Sequence, residues 1–123
     1  MPMINIADDA GTFVAASLLQ MSETLDKSIL AAGAVITPNQ VVEDFKAATG
    51  KEAKLVPITY DQFKGFLPPP VAEELTENMK LIEDWYYAGE PKDGVQKSID
   101  LVAKAGLKKP TTWKEFVAKN FQG

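Results

Sequence analysis

Three consecutive prolines, residues 68–70, divide the most distinctive stretch of this chain, residues 59–87, into a turn and a helix. Proline cannot continue a strand ladder or a helix interior, but it suits the first helical turn. We therefore predict a rigid corner, with Pro70 opening a helix. After the corner, apolar residues recur every three or four positions, as on one face of an amphipathic helix. These residues are Val71, Leu75, Met79, Ile82 and Tyr86.

The same stretch holds six of the eleven aromatic residues of the 123-residue chain. Rings just before the corner could fold back on the helix and form one wall of a ligand pocket. Plain core packing is the alternative, and it is the more frequent fate of aromatic residues. The predicted substrate-binding residues are Phe63, Phe66, Leu67, Pro68, Pro69, Met79, Trp85 and Tyr87.

Acid–base chemistry in this chain has to come from Asp, Glu, Lys or Tyr, because histidine and cysteine are absent. Their absence excludes Ser-His-Asp and Cys-His nucleophiles and the usual zinc sites. A carboxylate or phenol that aromatic rings desolvate can act as an acid or a base. The candidates are Asp61, Tyr60 and Tyr86, and Lys64 would polarise a carbonyl. For each of them, a solvated surface charge or a satisfied tyrosine hydroxyl is the alternative.

All thirteen cations are lysines, and the net charge is −4. Nucleic-acid binding usually requires a basic stripe with arginine forks, so we expect neither nucleic acid nor a membrane surface as a partner. The sequence contains no G-x-G-x-x-G or G-x-x-x-x-G-K-[ST] motif and no apolar run of membrane length, and we expect no signal peptide. We expect one cytoplasmic domain, residues 1–123, without a cofactor or metal.

Short apolar runs alternate with amphipathic segments, which predicts an α/β fold with about three short strands and five helices. Predicted strands cover residues 3–7, 28–36 and 54–59. The first two are expected to be buried, Gly33 marks a bulge or close backbone approach, and Pro57 places the third strand at an edge.

Capping signals locate the predicted helices. Asp8 or Asp9 caps a helix through residues 12–20. The T-P-N-Q sequence at residues 37–40 and the T-x-x-E sequence at residues 112–115 are capping boxes. Gly50 supplies a left-handed helix end.

Four segments, in order, resemble the C-terminal part of the NmrA-like family within the atypical short-chain dehydrogenase/reductases. Residues 2–14 contain an acidic D-x-G turn, and residues 29–45 contain a T-P-x-Q helix opening. Residues 60–87 contain F-L-P-P-x-V-A-E-E-L with trailing aromatic residues, and residues 109–120 (KPTTWKEFVAKN) resemble the family's ending.

The resemblance implies a truncated Rossmann-like lobe that lacks the N-terminal dinucleotide-binding half. It therefore implies neither NAD(P) binding nor hydride transfer. It also implies that the strands at residues 3–7 and 28–36 lack sheet partners, and exposed apolar edges need cover. A homodimer is the expected assembly. The family's substrate-facing segment corresponds to Tyr60, Phe63, Phe66, Leu67, Pro68 and Pro69.

Two functions follow as expectations. The first is non-redox binding of an apolar small molecule in an aromatic-lined pocket, by an isomerase or cyclase. The second is a protein-interaction or regulatory module derived from a redox sensor, without catalysis. A remnant without independent activity is a third alternative. A closed pocket lined by Phe63, Phe66 and Trp85 would favour the first function, and a flat apolar patch would favour the second.

Overall fold

The structure is a computed structural model that describes residues 1–86 and 93–121. These residues contain seven helices and one two-stranded sheet. Strand β1 (Pro2–Met3) pairs antiparallel with β2 (Ala34–Val35). The helices are α1 (Ile6–Leu19), α2 (Met21–Thr24), α3 (Pro38–Thr49), α4 (Tyr60–Phe66), α5 (Pro69–Trp85), α6 (Gly94–Lys104) and α7 (Trp113–Asn120). None of these helices has the length and apolar character that crossing a membrane requires.

The fold is mixed α/β, as predicted, but the predicted counts of about three strands and five helices are wrong. Of the strand predicted at residues 3–7, only Met3 lies in β1, because α1 begins at Ile6. The run at residues 28–36 is a strand only in β2, and its partner is antiparallel. Residues 54–59 form no strand, and Pro57 there has no N–H to donate to a ladder.

The predicted capping box at α7 is confirmed in full, whereas at α3 only the Thr37 half of the predicted box is shown. The Thr37 side chain accepts a hydrogen bond from the Gln40 backbone N–H at 3.2 Å, and α3 ends at Gly50 with φ 68°. At α7, the Thr112 side chain accepts from the backbone N–H of Glu115, and the Glu115 side chain accepts from that of Thr112. Helix boundaries here follow from bonds between residues three positions apart.

Helix α4 is one of two helices that the sequence analysis missed. Thr59 and Gln62 form a full capping box at its start. This T-x-x-Q sequence is the same signal that predicted the other two starts, so α4 could have been found. Helix α1 differs from its prediction too, because Asn5 occupies its N-cap and Asp8 and Asp9 lie inside the first turn.

The main apolar core lies between α1 and α6. Phe13 and Ala16 of α1 cluster with Leu101 and Val102 of α6, and all four are buried. Ile4, Ile29, Ala105 and Leu107 are partly buried against this cluster. Burial of these side chains from water is the main force that holds the two helices together.

Helices α3 and α7 form a second packed pair. The Trp113 indole donates to the Val41 carbonyl at 3.0 Å. The rings of Phe45 and Phe121 meet edge to face with centroids 5.9 Å apart, and Val117 of α7 is fully buried. One indole hydrogen bond and an aromatic contact therefore position the last helix.

The Asp9 carboxylate of α1 and Gly33 beside β2 both contact the segment before α7. Asp9, only 2% exposed, accepts from the backbone N–H of Thr111 at 2.9 Å and from its hydroxyl at 3.0 Å. A Cβ on Gly33 would lie 2.9 Å from the Pro110 Cβ. The close backbone approach predicted at Gly33 is thus confirmed.

Candidate functional site

Helices α4 and α5 form a hairpin around the proline corner. Leu67 and Pro68 are extended (φ −95°, ψ 149° and φ −58°, ψ 136°) and separate the two helices. Helix α5 opens at Pro69, one residue before the predicted Pro70. Within the described residues, α5 packs mainly on α4. We call this pair, residues 59–86, the hairpin.

The face of α5 that is buried is not the predicted apolar stripe. Ala72 and Thr76 are buried, and the Thr76 hydroxyl donates to the Ala72 carbonyl at 2.6 Å. Val71, Leu75 and Met79 remain 38%, 37% and 40% exposed. Small residues allow helices to approach closely, so α5 buries its Ala72 and Thr76 face and leaves much of the apolar stripe accessible to solvent.

The predicted ligand-wall residues divide between the interior and the surface of the hairpin. Phe63 and Leu67 are half-buried. Phe66 is 75% exposed and Trp85 is 68% exposed, while Pro68 and Pro69 are also exposed. The hairpin therefore exposes the ring of Phe66 beside the corner and the ring of Trp85 at the far end of α5, and it encloses neither. Tyr87, also predicted to bind substrate, lies outside the described residues.

Tyr60 and Lys64, two of the predicted catalytic residues, connect the helices of the hairpin. The Tyr60 hydroxyl donates to the Glu83 carboxylate, and this hydrogen bond raises the pKa of Tyr60 above its ordinary value. The Lys64 ammonium pairs with Glu73 and lowers the pKa of that carboxyl group. A tyrosine with a raised pKa is a poorer base near neutral pH. Both contacts join α4 to α5.

The other two predicted catalytic residues, Asp61 and Tyr86, are exposed. The Lys80 ammonium lies 5.6 Å from the centroid of the Tyr60 ring. It also pairs with Glu77 at 2.6 Å, and this pairing raises the pKa of Lys80.

Within residues 1–86 and 93–121, no three acidic side chains are grouped so as to hold a metal ion.

A groove lies away from the hairpin. It has a volume of about 690 Å³ and runs between α6 and the connection from α2 to β2. A second cavity of about 70 Å³ lies beside β1 and Trp113. The sequence analysis missed the groove, because it assigned residues 28–36 to a buried strand. The lining of the groove includes Lys27, Ile29, Leu30, Lys97, Leu101 and Lys104.

Comparison with known proteins identifies the family of the chain. The model of the NmrA-like family matches residues 1–117 of the 123 residues. Searches of curated proteins and of solved structures each found no significant match. The matched region contains α1 to α6, the hairpin and the start of α7. Because the family match covers nearly all of the sequence, this chain belongs to the NmrA-like family.

Proposed function

We propose that this NmrA-like chain is a protein-interaction module, that the hairpin is its docking surface, and that a second copy of the chain is the partner. The observation that carries the proposal is the exposure of Phe66, Trp85 and the α5 stripe on a hairpin that packs mainly on itself. Exposed apolar surface that is rimmed by polar residues is typical of interaction sites.

Charge favours a second copy as the occupant. The hairpin contains six acidic residues and two lysines, and all six acidic residues are exposed. Residues 94–121 contain six lysines and two acidic residues, and all six lysines are exposed. Opposite charges on two surfaces steer association and fix the register of the contact.

Charges that are left unpaired occur on both surfaces. On the hairpin, three acidic residues form no salt bridge within the described residues: Asp61, Glu74 and Asp84. Near α7, three lysines likewise form none there: Lys108, Lys109 and Lys114. In a two-fold dimer each hairpin would meet the α6–α7 region of the other copy, so the same contact forms twice and the assembly closes.

Sedimentation of the chain between about 1 and 100 µM tests the dimer. Phe66→Ser and Trp85→Ser change rings that are already exposed, so both variants should fold. Aromatic residues dominate interface energies, and each substitution should weaken dimerisation by about tenfold or more. Leu19→Ser is the matched control, because Leu19 is 63% exposed on α1, outside the hairpin.

Charge-reversal variants test which two surfaces meet in the dimer. Lys108→Glu should weaken the dimer, and adding Glu74→Lys in the same chain should restore part of the affinity. A chain that stays monomeric over the whole concentration range would show that the hairpin has another occupant. A dimer that tolerates both aromatic substitutions but loses affinity with Leu19→Ser would show that a different surface carries the contact.

Isomerase or cyclase action on an apolar metabolite stays the alternative prediction. Its residues are Tyr60, Asp61, Lys64 and Tyr86, and its nearest structural support is the contact of Tyr60 with Glu83. A cofactor-free turnover that Tyr60→Phe and Asp61→Asn leave unchanged would remove those two residues as catalysts.

A further inference from the structure

We propose that the groove between α6 and the α2–β2 connection binds a small apolar molecule that carries one carboxylate group. This site is separate from the hairpin, and residues of a single copy of the chain form it. Its volume of about 690 Å³ matches the range of about 300–1,000 Å³ that small-molecule sites occupy.

The floor of the groove is apolar and firmly supported. Ile29, Leu30 and Leu101 line it. Leu101 belongs to the buried core cluster, and Ile29 packs against that cluster. Gly94 at the start of α6 lies beside Leu30, since a Cβ there would be in ordinary contact with the Leu30 Cδ2 at 3.5 Å. A preformed apolar floor favours an aromatic or aliphatic body in the ligand.

The charges at the rim select the polar group of the ligand. Lys104 pairs with Glu23, and Lys97 pairs with Asp93 at 2.9 Å. Lys27 also lines the groove, and within residues 1–86 and 93–121 it forms no salt bridge. Lys27 is therefore a lining residue whose positive charge has no salt-bridge partner in that part of the chain.

Three other polar groups of the lining have hydrogen-bond partners. The Asp100 carboxylate accepts from the Gln96 side chain at 2.8 Å. The Ser98 hydroxyl donates to the Gly94 carbonyl at 3.0 Å, and the Thr24 hydroxyl donates to the Ser17 carbonyl at 2.7 Å. A ligand carboxylate would therefore bind the Lys27 ammonium, and a neutral ligand would leave that ammonium unused.

Titration of the ¹⁵N-labelled chain with 2-naphthoate tests the site, and 2-naphthamide is the matched neutral probe. We expect 2-naphthoate to shift amide signals of residues 27–30 and 94–101. It should bind about two- to fivefold more tightly than the amide, because ion pairs at exposed positions contribute modestly. Lys27→Gln should remove this difference, whereas Lys54→Gln, which removes a lysine outside the groove, should preserve it.

Three results would overturn the inference. The first is an absence of 2-naphthoate shifts up to about 5 mM, a concentration that would detect even weak binding. The second is equal affinity for the two probes in the unsubstituted chain. The third is a set of shifts confined to residues 60–86, which would place the ligand on the hairpin. Because Lys97 and Lys104 of the groove also belong to the proposed partner surface, the titration uses the Trp85→Ser chain at a concentration where it is monomeric. Failure here then leaves the docking proposal intact.

Discussion

Asp9 joins two segments of the chain that lie 102 positions apart, through paired hydrogen bonds to Thr111. Its carboxylate is buried, so water cannot replace a bond that is lost. The aspartate of the D-x-G motif therefore has a structural role in this chain. Its neighbour Asp8 is exposed and makes a salt bridge of 3.1 Å to Lys119, which lowers the pKa of Asp8.

Replacement of Asp9 by alanine should lower the free energy of unfolding by about 2 kcal/mol, since hydrogen bonds to a charged group are lost and the Thr111 donors stay buried. Urea unfolding followed by circular dichroism measures this change. Asp8→Ala, at the adjacent exposed position, should have a much smaller effect. Equal losses in the two variants would contradict the structural role of Asp9.

Two glycines should respond in opposite directions to alanine. At Gly33 a Cβ would lie 2.9 Å from the Pro110 Cβ and 3.1 Å from the Thr111 carbonyl oxygen, so Gly33→Ala should destabilise the fold by about 1–3 kcal/mol. At Gly11, inside α1, a Cβ meets nothing within 4 Å. Gly11→Ala should stabilise by about 0.5–1 kcal/mol, because glycine is a poor helix former. Thermal unfolding midpoints that move in the same direction would refute this contrast.

The start of α7 depends on a charged cap. The Glu115 carboxylate accepts from the Thr112 backbone N–H and from its hydroxyl, both at 2.8 Å. These bonds favour the ionised form and lower the pKa of Glu115. A carboxyl group whose pKa is lower in the folded state stabilises the fold above its unfolded pKa. That stabilisation disappears as the pH falls through the folded pKa.

We therefore expect Glu115→Gln to reduce the acid sensitivity of the fold. The unsubstituted chain should lose urea stability as the pH falls from about 6 to about 3, a window that begins above the ordinary glutamate pKa and extends below it. Glutamine cannot be protonated in this window and can still occupy the third position of a capping box. The variant should show a smaller loss, and parallel pH profiles would count against the capping argument.

Across the chain, the hairpin and the α1–α6 core are separate packing units. The core residues bury apolar surface between two helices, whereas the hairpin relies mainly on contacts within itself. Segments with few buried apolar contacts open more readily than the core of a protein. The hairpin should therefore be the first part of the described chain to open.

Hydrogen exchange should resolve this difference. In dilute solution we expect backbone amides in α4 and α5 to exchange with a lower opening free energy than those of α1 and α6. If the hairpin docks on a second copy, its protection should rise with protein concentration while the core stays unchanged. Exchange at one uniform free energy in the hairpin and the core would contradict the division.

The sequence predicted helix boundaries better than strands, as particular residues show. Thr37, Gly50 and Thr112 predicted helix boundaries, because each acts through neighbours within a few positions. Thr59 carries the same signal, and the analysis overlooked it. The strand predicted around Pro57 failed because a strand needs a partner, and apolar composition does not supply one.

The candidate site was less predictable than the helices. The three-to-four spacing in α5 indicated an amphipathic helix, yet Ala72 and Thr76 face the interior of the hairpin while Leu75 stays partly exposed. Spacing shows which residues share a face, but the partner element decides which face is buried. The groove beneath Lys27 depends on the distance between α6 and a segment far from it in sequence.

The amino-acid sequence alone determined the family resemblance, the capped helices and the proline corner. Each rests on residues that are close in sequence, where backbone hydrogen bonds and fixed dihedral angles act directly. Only the tertiary structure decided the antiparallel pairing of β1 with β2, the Asp9–Thr111 link, the exposed face of the hairpin and the groove. These features join distant segments, and their free energy depends on how the whole chain buries its apolar surface.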